Sequence, residues 1–391
     1  MKILNPKNIK KYFFTYLNVM RIFIISFRQY KKNRLSKFIF FYFPVKAYQK
    51  NIIELVSKLN KNDNTFAYLV YNSSSSKELE LEKNSFFVDL GYLRFIPFAN
   101  FLLSKINFII SGYVNYIFLP NAKNIYISHD IYDTPIVNKN IEKKLFRELL
   151  RLDYIFVSSN ISKIYFMDKF KEYFGLKKES NLKIINTGYL KLDHIFRLLK
   201  KKNHKKDHIL IAPTASNAYK KINLSSKLVE IIQFLIDKKY QVIYRPHPMD
   251  LTKKGNYDIT QNIRDKFEKY KNFSLDLSSS YLESYSKSFT LITDFSGTAY
   301  TYSFSQNKPV LFFSMSKKKI PNKEFKKLYY FNDREKIGFV INNFNDLDKK
   351  LNMIKKNKNL FKQKINKLKK IRIKHFGNSL NITKKNIEKI L

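Results

Sequence analysis

The chain has 391 residues, which is more than one hydrophobic core usually serves, so two domains of ordinary size are expected. Hydrophobic residues make up 44% and aromatic residues 16%, which excludes a largely disordered chain. Cysteine is absent, which excludes disulfides, thiolate zinc sites and a thiol nucleophile. The net charge of +43 favours anionic partners such as phosphorylated substrates, nucleic acid or anionic lipid, although a lysine-rich composition bias explains the same excess without a ligand.

Residues 1–60 are expected to form a basic, aromatic, helical segment. The apolar run from Tyr12 to Phe27 is flanked by Lys and Arg, and it is shorter than the roughly 20 residues that a membrane span needs. No small-residue cleavage site follows it, so a secretory signal peptide is not expected. A helix of this composition suits the surface of an anionic membrane, and the aromatic run Phe38–Phe43 supports that interpretation. A buried helix of the N-terminal domain is the alternative.

Short apolar runs alternate with helix-like stretches from residue 61 to residue 345, which is the rhythm of βα units around a parallel sheet. In residues 61–200 the expected strands are Thr65–Tyr71, Phe86–Asp89, Phe108–Ile110, Ile125–His129 and Tyr154–Val157. In residues 201–345 they are His208–Ala212, Tyr240–Arg245, Thr290–Asp294 and Val310–Phe313. The sequence therefore predicts two α/β domains with a boundary near 195–207, followed by Lys-rich helices over 346–391.

A stiff loop follows one of these strands. In the segment 245–248, Arg-Pro-His-Pro, two prolines fix φ and remove backbone donors around His247. Ligands bind at the carboxyl ends of strands in α/β sheets, where an arginine can offer a charge-assisted fork to phosphate. We expect Arg245 and His247 to contact an anionic substrate. The alternative is that Arg245 pairs with a structural carboxylate and His247 only packs.

A second motif joins an expected strand to an expected helix, Ala299–Gln306. It is the segment 294–298, Asp-Phe-Ser-Gly-Thr, in which Ser296 and Thr298 are placed to cap the helix. The free N–H groups of a helix N-terminus carry positive potential, and Gly297 allows a diphosphate to approach the backbone closely. The element therefore suits anion binding, and an ordinary capped helix is the alternative.

Six short blocks follow one another along the chain: ISHDIYDTP over 127–135, NTGYLKLD over 186–193, ILIAPT over 209–214, RPHP over 245–248, DFSGT over 294–298 and KPV over 308–310. Their residues and order resemble the CDP-glycerol glycerophosphotransferases, peripheral membrane enzymes of teichoic-acid and related surface-polymer synthesis, over roughly residues 120–345. Two blocks depart from the family. Asp130 stands where the family has glycine, and Ala215-Ser216 stands where the family often has Trp-Arg, so the donor and the acceptor are left open.

The resemblance implies a GT-B fold, in which two Rossmann-like domains face a cleft. It implies that an acceptor hydroxyl attacks the β-phosphorus of CDP-glycerol and that CMP is released. His129 would be the general base, since an imidazole pKa of roughly 6.5 suits proton transfer near neutral pH, and His247 would stabilise the diphosphate. Asp294 is expected to order its turn. The other expected site residues are, for donor binding, Arg245, Pro213, Thr214, Ser296, Gly297 and Thr298, and, for orientation or acceptor contact, Asp130, Asp133, Gly188 and Asp193.

Two other functions fit the same sequence. One is a GT-B glycosyltransferase that uses a nucleotide sugar, such as a CMP-linked one, in capsule or lipooligosaccharide synthesis, and the other is a non-catalytic binder of nucleic acid or membrane. No recognised nucleic-acid module occurs, so nucleic acid is not an expected partner. The expected partners are a CDP- or CMP-linked donor, a lipid-linked or capsular saccharide acceptor and an anionic membrane at the inner face of the plasma membrane. A divalent metal is compatible with this reaction, but no cofactor is assigned.

Overall fold

The computed structural model describes residues 6–43, 49–60, 64–71, 85–114, 116–128, 130–132, 139–175, 181–202, 204–218, 223–251, 257–278, 280–314 and 328–391. The chain divides into two compact units. The first comprises Met1–His129, Lys139–Lys191 and His375–Leu391, and the second comprises Asp130–Asn138 and Leu192–Lys374. The chain therefore leaves the first unit twice, for Asp130–Asn138 and for Leu192–Lys374, and returns to it each time.

The first unit contains a seven-stranded sheet in which every strand pair is parallel. Its strands are β1 (Lys37–Phe43), β2 (Thr65–Tyr71), β3 (Ser85–Phe87), β4 (Ile106–Ser111), β5 (Lys123–Ile127), β6 (Tyr154–Val157) and β7 (Lys183–Asn186). Their order is β3-β2-β1-β4-β5-β6-β7. The first six positions match the Rossmann order, so the unit is a doubly wound α/β domain.

The helices of the first unit are α1 (Pro6–Lys32), α2 (Gln49–Leu59), α3 (Leu90–Leu93), α4 (Ala99–Leu102), α5 (Lys139–Leu149), α6 (Asn160–Phe174) and α16 (Ser379–Ile390). Helix α7 (Leu190–Lys200) carries the chain from the first unit into the second. No helix among the residues of the ranges given above combines the length and the hydropathy that a membrane span requires.

Strand β1 corrects the expectation that residues 1–60 form a helical segment. Six of its seven residues are buried, because apolar clusters cover both faces of the sheet. Phe41 packs in one cluster with Leu55 of α2, and Phe40 packs in the other with Val19 of α1. Strands of parallel sheets that are covered on both faces read as continuous apolar runs. This aromatic run is therefore part of a core and does not face a membrane.

The second unit contains a six-stranded, all-parallel sheet. Its strands are β8 (His208–Ile211), β9 (Gln241–Tyr244), β10 (Phe273–Leu275), β11 (Ser288–Thr293), β12 (Val310–Phe313) and β13 (Gly338–Ile341). Its helices are α8 (Leu228–Asp237), α9 (Tyr257–Phe267), α10 (Leu282–Lys287), α11 (Thr298–Gln306), α12 (Tyr329–Asn332), α13 (Arg334–Ile337), α14 (Phe344–Lys356) and α15 (Lys358–Arg372). The strand order β10-β9-β8-β11-β12-β13 reverses between β8 and β11. Ligands of such sheets bind beyond the carboxyl ends of the two strands at this switch point.

Candidate functional site

The carboxylate of Asp294 joins the two loops at the switch point. Asp294 follows β11 and is 1% exposed. It accepts hydrogen bonds from the backbone N–H groups of Thr214 at 2.8 Å, Leu224 at 2.8 Å and Phe295 at 2.7 Å. Burial raises the pKa of Asp294, and these N–H groups oppose the shift because they stabilise the ionised carboxylate. Asp294 therefore orders the loops after β8 and β11. Pro213, next to Thr214 in the loop after β8, is buried.

Helix α11 begins directly beyond this carboxylate. Gly297 is its cap residue, with φ of −59°, and the Ser296 hydroxyl accepts the N–H of Thr298 at 3.3 Å. The expected capping role of Thr298 is wrong, because Thr298 is the first residue inside the helix. The first N–H groups of a helix have no acceptor within it and carry positive partial charge. The N-terminus of α11 is thus suited to a phosphate group.

Arg245 lies at the end of β9 but is already engaged by protein groups. Its guanidinium donates to Asp276 Oδ2 at 2.7 Å and to the backbone carbonyl of Ser278 at 2.9 Å, and both charged side chains are 14% exposed. Burial raises the pKa of Asp276, but hydrogen bonds from Ser278, Ser284 and Arg245 outweigh it and hold that pKa below its usual range. This pairing is the structural-carboxylate alternative named above: Arg245 holds the loop after β10, and its role in donor binding stays a prediction.

His247 is fixed in one tautomer by its own loop. The backbone N–H of Met249 donates to His247 Nδ1 at 3.2 Å, and the N–H of Asp250 donates to the His247 carbonyl at 2.8 Å. Burial lowers the pKa of His247, and the charge of Asp250 opposes this shift. The ring is therefore neutral near neutral pH, with its proton on Nε2, where it can donate to an anionic oxygen.

Asp250 is a site residue that the sequence reasoning missed. It is 2% exposed and accepts the N–H of Ser216 at 3.1 Å and the Ser216 hydroxyl at 2.6 Å. Asn223 holds the same loop by donating to the carbonyls of Ser216 at 2.8 Å and Ala218 at 2.7 Å. Asp250 thus ties the loop after β8 to the His247 loop. Its position two residues after a Pro-His-Pro turn was the only sequence signal for this role.

Among the remaining candidates, His129 and Gly188 belong to the first unit, and Asp130, Asp133 and Asp193 belong to the second. His129 and Asp133 lie outside the described residues, as do Thr134 and Pro135. Asp130 lines a small recess beside Gly297. Asp193 is 1% exposed in the first turn of α7 and is engaged in protein contacts.

Gly188 has a structural explanation. Its φ is +85°, and a Cβ atom there would overlap Ser379 Oγ and lie 2.9 Å from His375 Cβ. Only glycine adopts that backbone conformation readily. The position therefore allows the chain before α7 to pass close to the start of α16, which accounts for the glycine without an acceptor contact.

A sequence profile of the family described as CDP-Glycerol:Poly(glycerophosphate) glycerophosphotransferase matches residues 22–377. The chain belongs to this family of enzymes. The match extends well beyond the roughly 120–345 over which the motifs resemble the family. Minor teichoic acid biosynthesis protein GgaB of Bacillus subtilis (strain 168) is 25% identical over an alignment of 359 residues that covers 79% of this chain and 35% of GgaB. The chain thus spans about a third of the length of this curated relative.

Solved structures similar to this chain include the wall teichoic acid polymerase TagF, with a TM-score of 0.62, 19% identity and coverage of 98% of both chains. A UDP-GlcNAc 2-epimerase from Neisseria meningitidis, bound to UDP-GlcNAc, has a TM-score of 0.60 and 12% identity, covering 90% of this chain and 100% of the epimerase. At these identities the likeness shows the fold alone. The fold is α/β of the GT-B type, as the motifs implied.

Proposed function

We propose that the protein transfers glycerol phosphate from CDP-glycerol to a hydroxyl of a surface-polymer acceptor. The acceptor oxygen forms a bond to the β-phosphorus, the bond from that phosphorus to the CMP oxygen breaks, and the hydroxyl proton passes to a base. The observation that carries this proposal is the family match over residues 22–377. The ordered loops at the switch point of the second unit supply a site of the right chemistry for the donor.

The donor half of the reaction needs positioning and charge stabilisation more than covalent help. The N-terminus of α11, at Gly297, supports a role in binding the diphosphate, with the Ser296 and Thr298 groups beside it. His247 would donate from Nε2 to the diphosphate or to the leaving CMP, since its Nδ1 is occupied by Met249. Asp294 and Asp250 hold these groups in place without contacting the anion.

The acceptor half rests on the family resemblance. His129 would take the proton of the attacking hydroxyl, and Asp130 or Asp133 would orient its ring. The described residues contain no group of three histidine, aspartate or glutamate side chains able to hold a metal ion. Turnover should therefore be measured with and without a chelator, because its loss on chelation would point to a metal that the substrate carries.

The decisive measurement is CMP release from CDP-glycerol, compared with CMP-linked acidic sugars and with other nucleotide sugars. His129→Ala and His247→Ala should each lower turnover at saturating donor by about 100-fold or more. His204→Ala, in the polar segment before β8, is the matched control and should keep parental turnover. Near-parental turnover in both site variants would refute the assigned roles. Release from a CMP-sugar but not from CDP-glycerol would establish the glycosyltransferase instead.

We also propose that α1 rests on an anionic membrane surface, where the acceptor is found. One face of α1 is buried through Val19 and Ile22, and the other exposes Phe13 at 56%. The short segment after α3 extends this face with Phe98 at 81% and Phe101 at 65% exposure. Aromatic side chains among lysines and arginines are typical of interfacial binding. This proposal keeps both interpretations made from the sequence, a buried face and a face on the membrane.

Cosedimentation with vesicles tests this membrane contact. Binding to vesicles that contain phosphatidylglycerol should exceed binding to phosphatidylcholine alone, and it should weaken with salt. The double variant Phe98→Ser with Phe101→Ser should bind these vesicles more weakly and retain CMP release in solution. Equal binding by the variant and the parent would contradict this assignment.

A further inference from the structure

The hydroxyl of Tyr330 is buried, and its proton has no acceptor among the described residues. Tyr330 is the second residue of α12 and is 2% exposed. Its backbone carbonyl is used, because the Tyr300 hydroxyl donates to it. Buried tyrosine hydroxyls usually find a partner, since an unpaired polar group in the interior is costly. A ligand group that completes this hydrogen bond would explain the position.

Tyr330 lines the recess beside the N-terminus of α11. Gly297, the cap residue of that helix, is on one side, and the other residues that line the recess are Asp130, Ile131, Tyr132 and Tyr300. The free volume is about 10 Å³, which suffices for a single water-sized group. Burial raises the pKa of Tyr330, the charge and hydrogen bond of Arg334 oppose this shift, and the charges of Asp294 and Asp130 add to it. The recess is too small for a phosphate and fits one hydroxyl group.

Arg334 adds a fixed positive charge next to this recess. It is 3% exposed, and its guanidinium lies 4.6–5.0 Å from the ring centres of Phe295, Phe312, Tyr330 and Phe331. One of its terminal nitrogens donates to the Asp294 carbonyl at 3.4 Å, and a side-chain hydrogen bond from Arg334 lowers the pKa of the Tyr330 hydroxyl. A cation beside a phenol makes that phenol a better hydrogen-bond donor. Tyr330 is therefore prepared to donate to a ligand oxygen.

We propose that this recess binds one hydroxyl of the donor's glycerol moiety, with the Tyr330 hydroxyl donating to it and the Asp130 carboxylate accepting from it. The inference rests on the proposed function and deepens it, because it assigns a specificity-determining residue for glycerol. The N-terminus of α11 adjoins this recess, so the neutral glycerol end and the charged diphosphate would be recognised by neighbouring groups.

The test compares two donors in two proteins. Tyr330→Phe should lower kcat/KM for CDP-glycerol by about tenfold, the effect of one lost neutral hydrogen bond. Two CDP-linked propanediols each lack a different glycerol hydroxyl. The one that lacks the hydroxyl bound in the recess should have the same kcat/KM with the parent and with Tyr330→Phe. The melting temperature should stay the same or rise, because the substitution removes an unsatisfied buried hydroxyl. A merely structural role would move stability and would not distinguish the donors.

Tyr302→Phe is the matched control, since its hydroxyl is used within the core, at 3.1 Å from Ser288 Oγ. It should lose thermal stability and leave the preference for CDP-glycerol over the propanediol donors unchanged. If Tyr330→Phe lowers turnover of every donor equally, or of none, the recess does not bind a glycerol hydroxyl and the proposed function stands. If the parent releases no CMP from CDP-glycerol, both the proposed function and this inference fall.

Discussion

The interaction between Arg245 and Asp276 decides whether this arginine acts on phosphate or on the protein. Both side chains are 14% exposed, and the guanidinium bonds Asp276 at 2.7 Å. A charge-assisted hydrogen bond of this geometry contributes about 1.5–3 kcal/mol, and removal of one partner leaves the other unpaired in a largely buried site. A double-mutant cycle of Arg245→Met and Asp276→Asn should therefore give a coupling energy of about 2 kcal/mol. That value corresponds to a roughly 30-fold change in the folding equilibrium constant.

The cycle is measured by urea unfolding of the parent, the two single variants and the double variant at neutral pH. Both single variants should raise the KM for the donor by similar factors, because each releases the loop after β10 beside the site. An arginine that binds phosphate directly predicts a different result: Arg245→Met alone would raise KM, while Asp276→Asn would leave it unchanged. A coupling energy below about 0.5 kcal/mol, the usual limit of additivity, would refute the structural role.

Three further predictions concern buried groups. Asp294→Asn should cost about 2–4 kcal/mol of unfolding free energy in urea, because an amide nitrogen would meet an N–H donor; a loss under 1 kcal/mol would contradict it. Asp333 is bound by Arg372 and Lys336, which hold its pKa below the usual range despite burial. The parent should have a higher free energy of unfolding than Asp333→Asn, fully so above about pH 4, and this difference should decline as the pH falls through the pKa of Asp333 in the folded protein. A pH-independent difference would refute this. Gly188→Ala should lower the melting temperature measured by calorimetry, through the clash with Ser379, and an unchanged value would count against it.

The sequence predicted the α/β class, the GT-B fold and most strands of both sheets. Runs such as Thr65–Tyr71 and Val310–Phe313 were predicted with the observed bounds, since each is a short apolar run between polar residues. Strand β1 was missed because an aromatic run without alternation fits a buried helix as well as a strand covered on both faces. Periodicity alone does not separate the two.

The motifs singled out the loops of the candidate site but not the partners within them. His247 and the α11 turn were singled out because proline, glycine and histidine have local signatures. The pairing of Arg245 with Asp276 depends on β9 and β10 lying side by side, which no local pattern encodes. The same holds for Asp250 and Ser216, which are 34 positions apart in sequence. Carboxylates that organise loops become recognisable only when the sheet order is known.

The return of the chain to its first unit has a consequence for biosynthesis. Ile387 of α16 is fully buried in the same apolar cluster as Phe41 and Leu55, in the unit that holds the N-terminal half of the chain. During translation the ribosome makes the whole second unit before it makes this helix. The first unit therefore lacks part of its core until α16 is made, while the second unit can already fold. This reverses the usual order, in which the N-terminal domain folds first. Chaperones that shield apolar surface would act mainly on the part of the chain made earliest.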